Sequence, residues 1–358
     1  MKIAMLLSGG VDSSVAMALL AEQGHDITAF FIKVWLEDEI ASIGNCPWEE
    51  DVEYARAVCE QLNVPLNIIS LQSEYYERIV SYAVKELKAG RTPSPDVYCN
   101  LRIKFGAFME AIDDSFEKVA TGHYARVEER DGRTHLFRAP DPVKDQTYFL
   151  CKVRQDQLQR VLFPLGRYAK HEVRAMAERF DLPTKFRKDS QGICFLGKVH
   201  YREFIRANLG EHPGRILNAE TREDLGEHPG YWFYTIGQRE GIGLHGGPWY
   251  VVRKDIEKNI IYISHRNSVD ERARDTFKVD HLSWVADPPT RSDLLIKIRH
   301  APAIDPCTIT PDESGLQVTL SKMERGVAAG AEEVVLGDPG GQPPADLVGA
   351  PRQRPPTP

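Results

Sequence analysis

The sequence predicts an α/β protein with a parallel-sheet domain at the N-terminus, a small β-rich connecting domain and a C-terminal antiparallel β barrel. Over residues 1–150, apolar β-like runs alternate with helix-period segments, which is the pattern of βαβ units. From about residue 276, short alternating runs are separated by turn residues, as in antiparallel barrels. The chain has 358 residues, enough for two or three domains.

The elements of the first domain follow one another at short spacing. After a first strand at 3–7, we predict strands at 27–34, 66–71 and 118–122, and helices at 49–62, 74–88 and 105–112. Cys59 lies on the apolar face of the first of these helices, so we expect it in the core. Ligands of parallel sheets bind at the carboxyl ends of the strands, so the loops that follow the strands are the candidate site.

The loop after the first strand has the sequence Ser8-Gly9-Gly10-Val11-Asp12-Ser13-Ser14. Its glycines let backbone N–H groups approach an anion, and the following helix presents its positive end to the same place. We therefore predict a phosphate-binding loop with pyrophosphate as its natural ligand. The loop lacks the lysine of a Walker A motif, so transfer of a γ-phosphoryl group is not expected. The alternative is an ordinary Gly-Ser turn before a helix.

Composition and charge limit the classes of partner. The net charge is −7, but it is distributed unevenly: −9 over residues 1–143, +6 over 144–204 and −4 over 205–358. A basic block within an acidic chain predicts a track for RNA phosphates over about 144–204, although a charged run is usually a solvated surface. No apolar run approaches the roughly 18 residues of a membrane span. The chain begins almost directly in its first strand, so we expect a cytoplasmic protein, with a eukaryotic organelle as the alternative.

Six cysteines are scattered without a CxxC pair, which argues against a zinc knuckle and a disulfide framework. Cys99 follows the rigid segment Thr92-Pro93-Ser94-Pro95-Asp96 and precedes a helix with two cations. A thiol near a helix N-terminus with cations nearby is expected to be reactive. Cys194 lies in Asp189-Ser190-Gln191-Gly192-Ile193-Cys194, where small residues leave a thiol approachable. Two such thiols predict paired sulfur chemistry.

Several polar residues remain open between two interpretations. Ile32 is placed for backbone contact with an adenine or for ordinary packing, and Gly122 lets a nucleotide approach the backbone. His123 is a general base or a structural histidine. Two further sets, Lys144-Asp145-Gln146 and Arg299-His300, are RNA contacts or ordinary surface residues.

With these stretches identified, the chain resembles the tRNA-specific 2-thiouridylases, which replace O2 of the wobble uridine with sulfur. The resemblance covers residues 1 to about 327 and rests on an ordered set of motifs: SGGVDSS, TPSPDVYCN, TGHYAR, KDQTYFL, DSQGICF and YTIGQREGIG. It implies a pyrophosphate-loop domain of the adenine nucleotide alpha hydrolase type at 1–204, a connecting domain at 205–275 and a barrel at 276–337. We expect a disordered Pro- and Gly-rich tail at 338–358.

The resemblance also implies residue roles. ATP, accompanied by Mg²⁺, would contact Leu6, Leu7, Ser8, Gly9, Gly10, Val11, Asp12, Ser13, Ile32 and Gly122. The target base would meet Ser94, Pro95 and Asp96. The tRNA would contact Lys144, Asp145, Gln146, Arg299 and His300. Cys99 would be the nucleophile and Cys194 the carrier of a persulfide, with a transient disulfide between them. The partners implied are tRNA and a sulfur-donor or relay protein carrying a persulfide, with no membrane.

Two departures from the family pattern stand out. Ser94 replaces the usual asparagine, and after Val327 the closing barrel strands give way to Gly- and Pro-rich sequence, so we expect an incomplete barrel with an exposed edge. Two other functions remain open at this point. One is a different adenylating enzyme with the same kind of loop, such as an amide ligase or a lysidine-forming tRNA enzyme, and the other is a nucleotide-binding regulator.

Overall fold

The structure is a computed structural model of the full chain. It describes residues 1–34, 48–189, 201–265, 274–280, 282–285, 287–313, 315–324, 333–336 and 348–350. No helix within these ranges is long and apolar enough to cross a membrane. The predicted site residue Cys194 lies outside the described residues.

A five-stranded parallel sheet organises the N-terminal domain. Its strands are β1 (Lys2–Leu6), β2 (Asp26–Lys33), β3 (Leu66–Ser70), β4 (Lys118–Ala120) and β7 (Val161–Leu162), in the spatial order β3-β2-β1-β4-β7. β1 pairs with β2 from Lys2↔Asp26 to Leu6↔Phe30 and with β4 on its other side, so β1 is the central strand of the sheet. The predicted strands and the parallel sheet are confirmed, and the loop after β1 lies at the carboxyl edge of the sheet's centre.

Helices cover both faces of this sheet. Helix α1 (Val11–Glu22) follows the loop, α2 (Trp48–Leu62) precedes β3, and Cys59 of α2 is buried in the core as predicted. One hydrophobic cluster contains residues of β1, α1 and α2. A second cluster contains residues from the opposite face of the sheet together with residues of the next domain, such as Ile216 and Val251. The hydrophobic core is therefore continuous from the first domain into the second.

Two longer helical runs, α3 and α4, each contain a π-helical segment. The run α3 consists of Gln72–Tyr75, the π-helical Tyr76–Val80 and Ser81–Lys88, and α4 consists of Pro95–Cys99, the π-helical Asn100–Ala107 and Phe108–Ala111. Gln157 donates hydrogen bonds from Nε2 to the carbonyls of Leu101 and Phe105, at 3.0 and 2.7 Å. π-helical turns are rare in proteins overall, but those that occur are often found at functional sites. The π-helical segment of α4 begins directly after Cys99.

In its described part, the basic block of residues 144–204 consists of short helices separated by turns. The hairpin β5 (Ala125–Arg130) and β6 (Arg133–Arg138) leads to a 3₁₀ turn at Thr147–Leu150. Three short helices follow: α5 (Gln155–Leu158), α6 (Lys170–Arg179) and α7 (Tyr201–Leu209). The rest of the described block is turns and β7, because Pro164 and Pro183 interrupt the helical periodicity.

Two β-sheets follow, as the sequence predicts. The middle sheet contains β8 (Gly214–Asn218), β9 (Asp224–His228), β10 (Trp249–Asp255) and β11 (Ile260–His265) in the order β10-β11-β8-β9. The last sheet contains seven strands in the order β12-β16-β15-β14-β17-β18-β13. These strands are β12 (Arg274–Asp280), β13 (Ser283–Trp284), β14 (Asp293–Lys297), β15 (Asp305–Asp312), β16 (Gly315–Glu324), β17 (Glu333–Leu336) and β18 (Val348–Ala350).

The end of the chain differs from expectation. β17 and β18 pair with each other and with β14 and β13, so strands after Val327 do join the last sheet. Within the predicted tail, Val348–Ala350 forms a short strand, and the other residues of 338–358 lie outside the described part of the chain. An apolar Val within Pro- and Gly-rich sequence is enough for a three-residue strand when a partner strand is already in place, and the local composition did not reveal that partner.

Candidate nucleotide and sulfur-transfer site

Hydrogen bonds from and to its own serine hydroxyls stabilise the loop after β1. Gly10 is the N-cap of α1, and the hydroxyl groups of Ser13 and Ser14 both donate to its carbonyl, at 3.2 and 2.8 Å. The backbone N–H of Ser8 donates to Ser13 Oγ at 3.2 Å. The α1 N-terminus lacks a side-chain cap, so its N–H groups remain available to an anion.

Two glycines are required by close backbone contacts. Gly9 has φ +72°, and a Cβ there would lie 2.2 Å from the carbonyl oxygen of Asp51 in α2. A Cβ on Gly122, just after β4, would lie 2.7 Å from the backbone nitrogen of Ser13. Gly122 therefore allows the end of β4 to approach the N-terminus of α1, which brings the two loops of the predicted site together. Ile32 is half-buried near the carboxyl end of β2.

Asp12 is held by two donors from other elements. Its Oδ1 accepts the hydroxyl of Tyr124 at 2.8 Å and the ammonium of Lys170 at 2.7 Å. Burial, and then the charge of Asp12, raise the pKa of Tyr124, which keeps the phenol protonated as a donor. Asp12 therefore holds Lys170 beside the loop instead of capping α1.

Asp189 gathers three cations around the same place. Lys144 Nζ lies 2.6 Å from its Oδ2, Lys170 Nζ lies 2.9 Å from its Oδ1, and Arg174 also donates to Oδ1. Burial acts to raise the pKa of Asp189, but hydrogen bonds from Lys144 and Lys170 outweigh it and hold that pKa well below its usual range. This carboxylate is therefore ionised at any physiological pH.

Arg187 attaches the chain before Asp189 to the loop. Its guanidinium donates to the carbonyl of Gly9 at 2.6 Å and to Asp51 Oδ1 at 2.7 Å, and lies 4.3 Å from the ring centre of Tyr54. Sequence analysis missed Tyr124, Lys170, Asp189 and Arg187 as site residues. The only signal for the cations was their membership of the basic block.

The block itself differs from an open phosphate track. Many of its cations pair with carboxylates: Lys144, Lys170 and Arg174 with Asp189, Arg154 with Asp156, Arg179 with Glu22, Lys185 with Asp181 and Arg187 with Asp51. The exposed pairs among them, such as Arg154–Asp156 and Arg179–Glu22, exchange readily, since each contributes only about 0–1 kcal/mol. A role of this surface in RNA binding stays a prediction.

His123 is a buried histidine that is held by a hydrogen bond and by packing against aromatic rings. Its Nδ1 lies 2.7 Å from Thr121 Oγ1, and its ring packs between Phe105 and Phe163. Burial first, and the charge of Lys104 second, lower its pKa well below the usual value. The imidazole is therefore neutral at physiological pH.

The segment predicted to meet the target base begins α4. Ser94 precedes the helix and its backbone N–H donates to Tyr82 Oη at 3.3 Å, while Pro95 and Asp96 form the first turn. The ring centres of Tyr82 and Tyr98 lie 4.3 Å apart with the rings tilted by 51°, and Arg102 lies 4.2 Å from the ring centre of Tyr98. This aromatic and cationic packing fixes the segment's position.

Cys99 lies one turn into α4 and is 5% exposed. This differs from the expectation of a thiol at the helix N-terminus, because Pro95 starts the helix earlier than the polar pair Cys99-Asn100 indicated. The next residue, Asn100, donates from Nδ2 to the carbonyl of Phe149 at 3.0 Å. The 3₁₀ turn after Lys144-Asp145-Gln146 is therefore packed directly against the Cys99 helix.

Asp145, which is predicted to contact the tRNA, is fully buried, and that contact stays a prediction. Its carboxylate accepts from Thr147 Oγ1 at 2.9 Å and pairs with Arg138 and Lys297, each at 3.4 Å. Lys297, at the end of β14, is itself 2% exposed. A buried charge pair therefore joins the first domain to the last one. The two residues next to Asp145 in the sequence, Lys144 and Gln146, are both part-exposed. The side-chain oxygen of Gln146 accepts the backbone N–H of Tyr124 at 2.9 Å.

Arg299 and His300 follow β14 and are both exposed. The imidazole of His300 lies 3.3 Å from the carbonyl of Asp145 and 4.5 Å, centre to centre, from the ring of Phe149. Burial and then Lys297 lower the pKa of His300, while the charge of Asp96 acts in the opposite direction. The predicted RNA contact His300 of the last domain is thus near enough to Asp96, in the segment predicted to meet the base, for the two to interact electrostatically.

Comparison with protein families divides the chain into three matches. Residues 1–198 match the tRNA methyl transferase HUP domain, residues 202–265 match the tRNA methyl transferase PRC-barrel domain, and residues 274–337 match the aminomethyltransferase beta-barrel domain. The HUP domain is a nucleotide-binding fold. The matched ranges account for nearly all of the chain.

Several curated relatives are similar over almost their whole length. The tRNA-specific 2-thiouridylase MnmA 1 of Bacteroides thetaiotaomicron is 43% identical over 95% of this chain and 97% of its own. MnmA of Parabacteroides distasonis is 44% identical over 94% of this chain and 95% of its own. Among solved structures, the U34-tRNA thiolase NcsA from Methanococcus maripaludis is 18% identical, covers 55% of this chain and 61% of its own, and has a TM-score of 0.35.

Proposed function

The chain belongs to the tRNA-specific 2-thiouridylase family and is a tRNA sulfurtransferase, and from this premise we propose its mechanism. The reaction is ATP-dependent 2-thiolation of the wobble uridine, position 34, of tRNA. It proceeds through adenylation of uridine O2 and sulfur transfer from a Cys194 persulfide, with Cys99 as the nucleophile. AMP and pyrophosphate are released.

The observation that carries this proposal is the geometry of the loop at the end of β1. The uncapped N-terminus of α1 and the backbone of residues 8–13 form a phosphate-binding site at the carboxyl edge of the sheet's central strand. The loop itself contains no lysine, which fits a loop that retains pyrophosphate as a leaving group better than one that transfers a γ-phosphoryl group.

Adenylation solves the problem of a poor leaving group. Uridine O2 attacks the α-phosphorus of ATP, the bond to the β-phosphate oxygen breaks, and pyrophosphate departs. The N–H groups at the start of α1 stabilise the charge that develops on the pyrophosphate. Magnesium would accompany the nucleotide, and Asp12 is the loop carboxylate able to support it, since Mg²⁺ is usually held by one or two carboxylates and the phosphates.

Sulfur then replaces the AMP-bound oxygen. The terminal sulfur of the Cys194 persulfide attacks C2 and AMP leaves, after which the Cys99 thiolate attacks the Cys194 sulfur and releases thiouridine. Alternatively, Cys99 first attacks the same inner sulfur and liberates sulfide, which attacks C2. Both routes end in a Cys99–Cys194 disulfide, so an external dithiol must supply two electrons for the next turnover.

The surroundings of Cys99 support a base-binding role for residues 94–96. Pro93 and Pro95 restrict the backbone before the helix, and the Tyr82 hydroxyl holds Ser94. Asp96 acts electrostatically on His300 of the last domain, so two domains contribute polar groups at this place. A base of an anticodon loop enters such a pocket at lower cost than a base in a duplex.

The test uses the full chain with ATP, unmodified tRNA and a persulfide donor protein, and measures 2-thiouridine by nucleoside mass spectrometry. We expect product from the unaltered protein and none from Cys99→Ser or Cys194→Ser. Cys59→Ala is the matched control, because burial and Glu60 raise the pKa of Cys59 to about 11 and keep it an unreactive thiol. Product from Cys194→Ser would overturn the persulfide assignment. ATP binding without pyrophosphate release would overturn the adenylation step.

A further inference from the structure

Lys170 stands out because a lysine-free phosphate loop has an ammonium group placed against it from a distant helix. It is the first residue of α6, 158 positions from Asp12 in the sequence, and its Nζ lies 2.7 Å from Asp12 Oδ1. The side chain is 14% exposed, which is low for a lysine. An ordered, nearly buried lysine is unusual enough to require an explanation.

The backbone around Lys170 is held as firmly as its side chain. Asp141 accepts the backbone N–H of Lys170 at 3.1 Å through Oδ2, and those of Val143 and Lys144 at 3.0 and 3.1 Å through Oδ1. Glu172 closes the first turn of α6 by accepting the N–H of Ala169 at 2.7 Å. The start of α6 is therefore fixed relative to the segment that carries Lys144.

The ammonium group retains capacity for one more acceptor. Lysine has three N–H donors, and Asp12 and Asp189 occupy at most two, at 2.7 and 2.9 Å. Within the described part of the chain, these carboxylates are the ion-pair partners of Lys170. Arg187, the other cation at the loop, directs its donors to the Gly9 carbonyl and Asp51 instead.

We propose that Lys170 binds the pyrophosphate portion of ATP, with Asp12 and Asp189 as the positioning residues that aim its ammonium group at the loop. The inference rests on the proposed function, and it adds a phosphate ligand that lies outside the loop motif. The lysine supplies the positive charge that a Walker A loop carries within its own sequence. Because it comes from α6, the bound phosphates connect the first strand of the domain to the basic block.

The experiment measures equilibrium binding of pyrophosphate, ATP and AMP to the full chain by calorimetry, without tRNA. Lys170→Met should weaken pyrophosphate and ATP binding by about 10- to 100-fold, the usual loss for one charge-assisted hydrogen bond. AMP, which lacks the pyrophosphate portion, should bind with unchanged affinity. Lys170→Arg keeps the charge and should retain part of the pyrophosphate affinity.

The control is Lys278→Met, which also removes a lysine paired with an aspartate, Asp312 at 2.7 Å, but in the barrel. It should bind all three ligands normally. Equal pyrophosphate affinity in Lys170→Met and the unaltered protein would overturn the inference alone. An equal loss of AMP and pyrophosphate affinity would also overturn it, since the lysine would then act through the fold. Failure of the unaltered protein to bind ATP or pyrophosphate would overturn the proposed function as well.

Discussion

Two of the molecule's aspartate–lysine pairs, one at the domain junction and one at the nucleotide loop, differ mainly in burial. At the domain junction, Asp145 and Lys297 are 0% and 2% exposed, whereas at the nucleotide loop Asp12 and Lys170 are 34% and 14% exposed. A buried pair cannot exchange a partner for water or a ligand and therefore fixes one arrangement of domains. A part-exposed pair can exchange one carboxylate for a phosphate, so it is suited to binding.

The largest expected effect comes from breaking the junction pair. Asp145→Ala leaves the Lys297 ammonium buried without its carboxylate, and we expect a loss of about 3–5 kcal/mol in the free energy of unfolding. Urea denaturation of the full chain measures it. Asp181→Asn, which breaks the exposed pair with Lys185, is the control and should cost at most about 1 kcal/mol. Equal costs for the two variants would show that burial does not distinguish the junction.

The loop should be sensitive to shape as well as to charge. Gly9→Ala places a Cβ 2.2 Å from the Asp51 carbonyl at a positive φ, and we expect it to cost about 2–3 kcal/mol in unfolding free energy. At the neighbouring Gly10, a Cβ would meet only Ser8 Oγ, at 3.5 Å. Gly10→Ala should therefore remain near the stability of the unaltered protein. Thermal unfolding compares them, and a similar melting temperature for both variants would contradict the packing of the loop on α2.

A smaller effect is expected at Asp189, where the charges are part-exposed. Asp189→Asn leaves Lys144, Lys170 and Arg174 facing one another, and we expect a loss of about 1–2 kcal/mol at pH 7. Since the folded-state pKa of Asp189 is lowered, its contribution is present above its unfolded pKa of about 4 and disappears on acidification below that. Stability measured against pH should thus converge for the two proteins at low pH. A constant difference would show that the carboxylate acts through packing alone.

The smallest effect concerns His300. Its pKa is lowered in the folded protein, so the unfolded chain binds the proton more readily below its ordinary pKa of about 6.5. Stability should therefore fall slightly as the pH decreases through and below this value. His300→Gln should make that slope shallower, while the part that comes from His123, whose pKa is also lowered, persists. Unfolding curves between pH 7.5 and roughly 5 test it, with His25→Gln as the control, and an unchanged slope in His300→Gln would contradict the assignment.

The sequence predicted the fold well where the signal is local. Apolar runs and their spacing identified the strands of the parallel sheet, and Gly9, Gly10 and the serines identified the phosphate loop. The sequence did not identify Tyr124, Lys170 and Asp189 as site residues. Their role depends on side chains that come together from separate elements, and periodicity along the chain gives no sign of such contacts. The same limit explains Asp145: a polar motif looks exposed in sequence, and only the position of Lys297 in another domain shows that it is buried.

Asp189 is the last described residue before the stretch that carries Cys194, five positions further along the chain. Asp189 is held by Lys144 and by Lys170, the lysine that we propose to bind the nucleotide. Under the proposed mechanism, we expect a substitution or a change in ionic strength that breaks these ion pairs to alter activation of the uridine and delivery of sulfur together. A thiolation defect alone thus does not locate the damage at a cysteine.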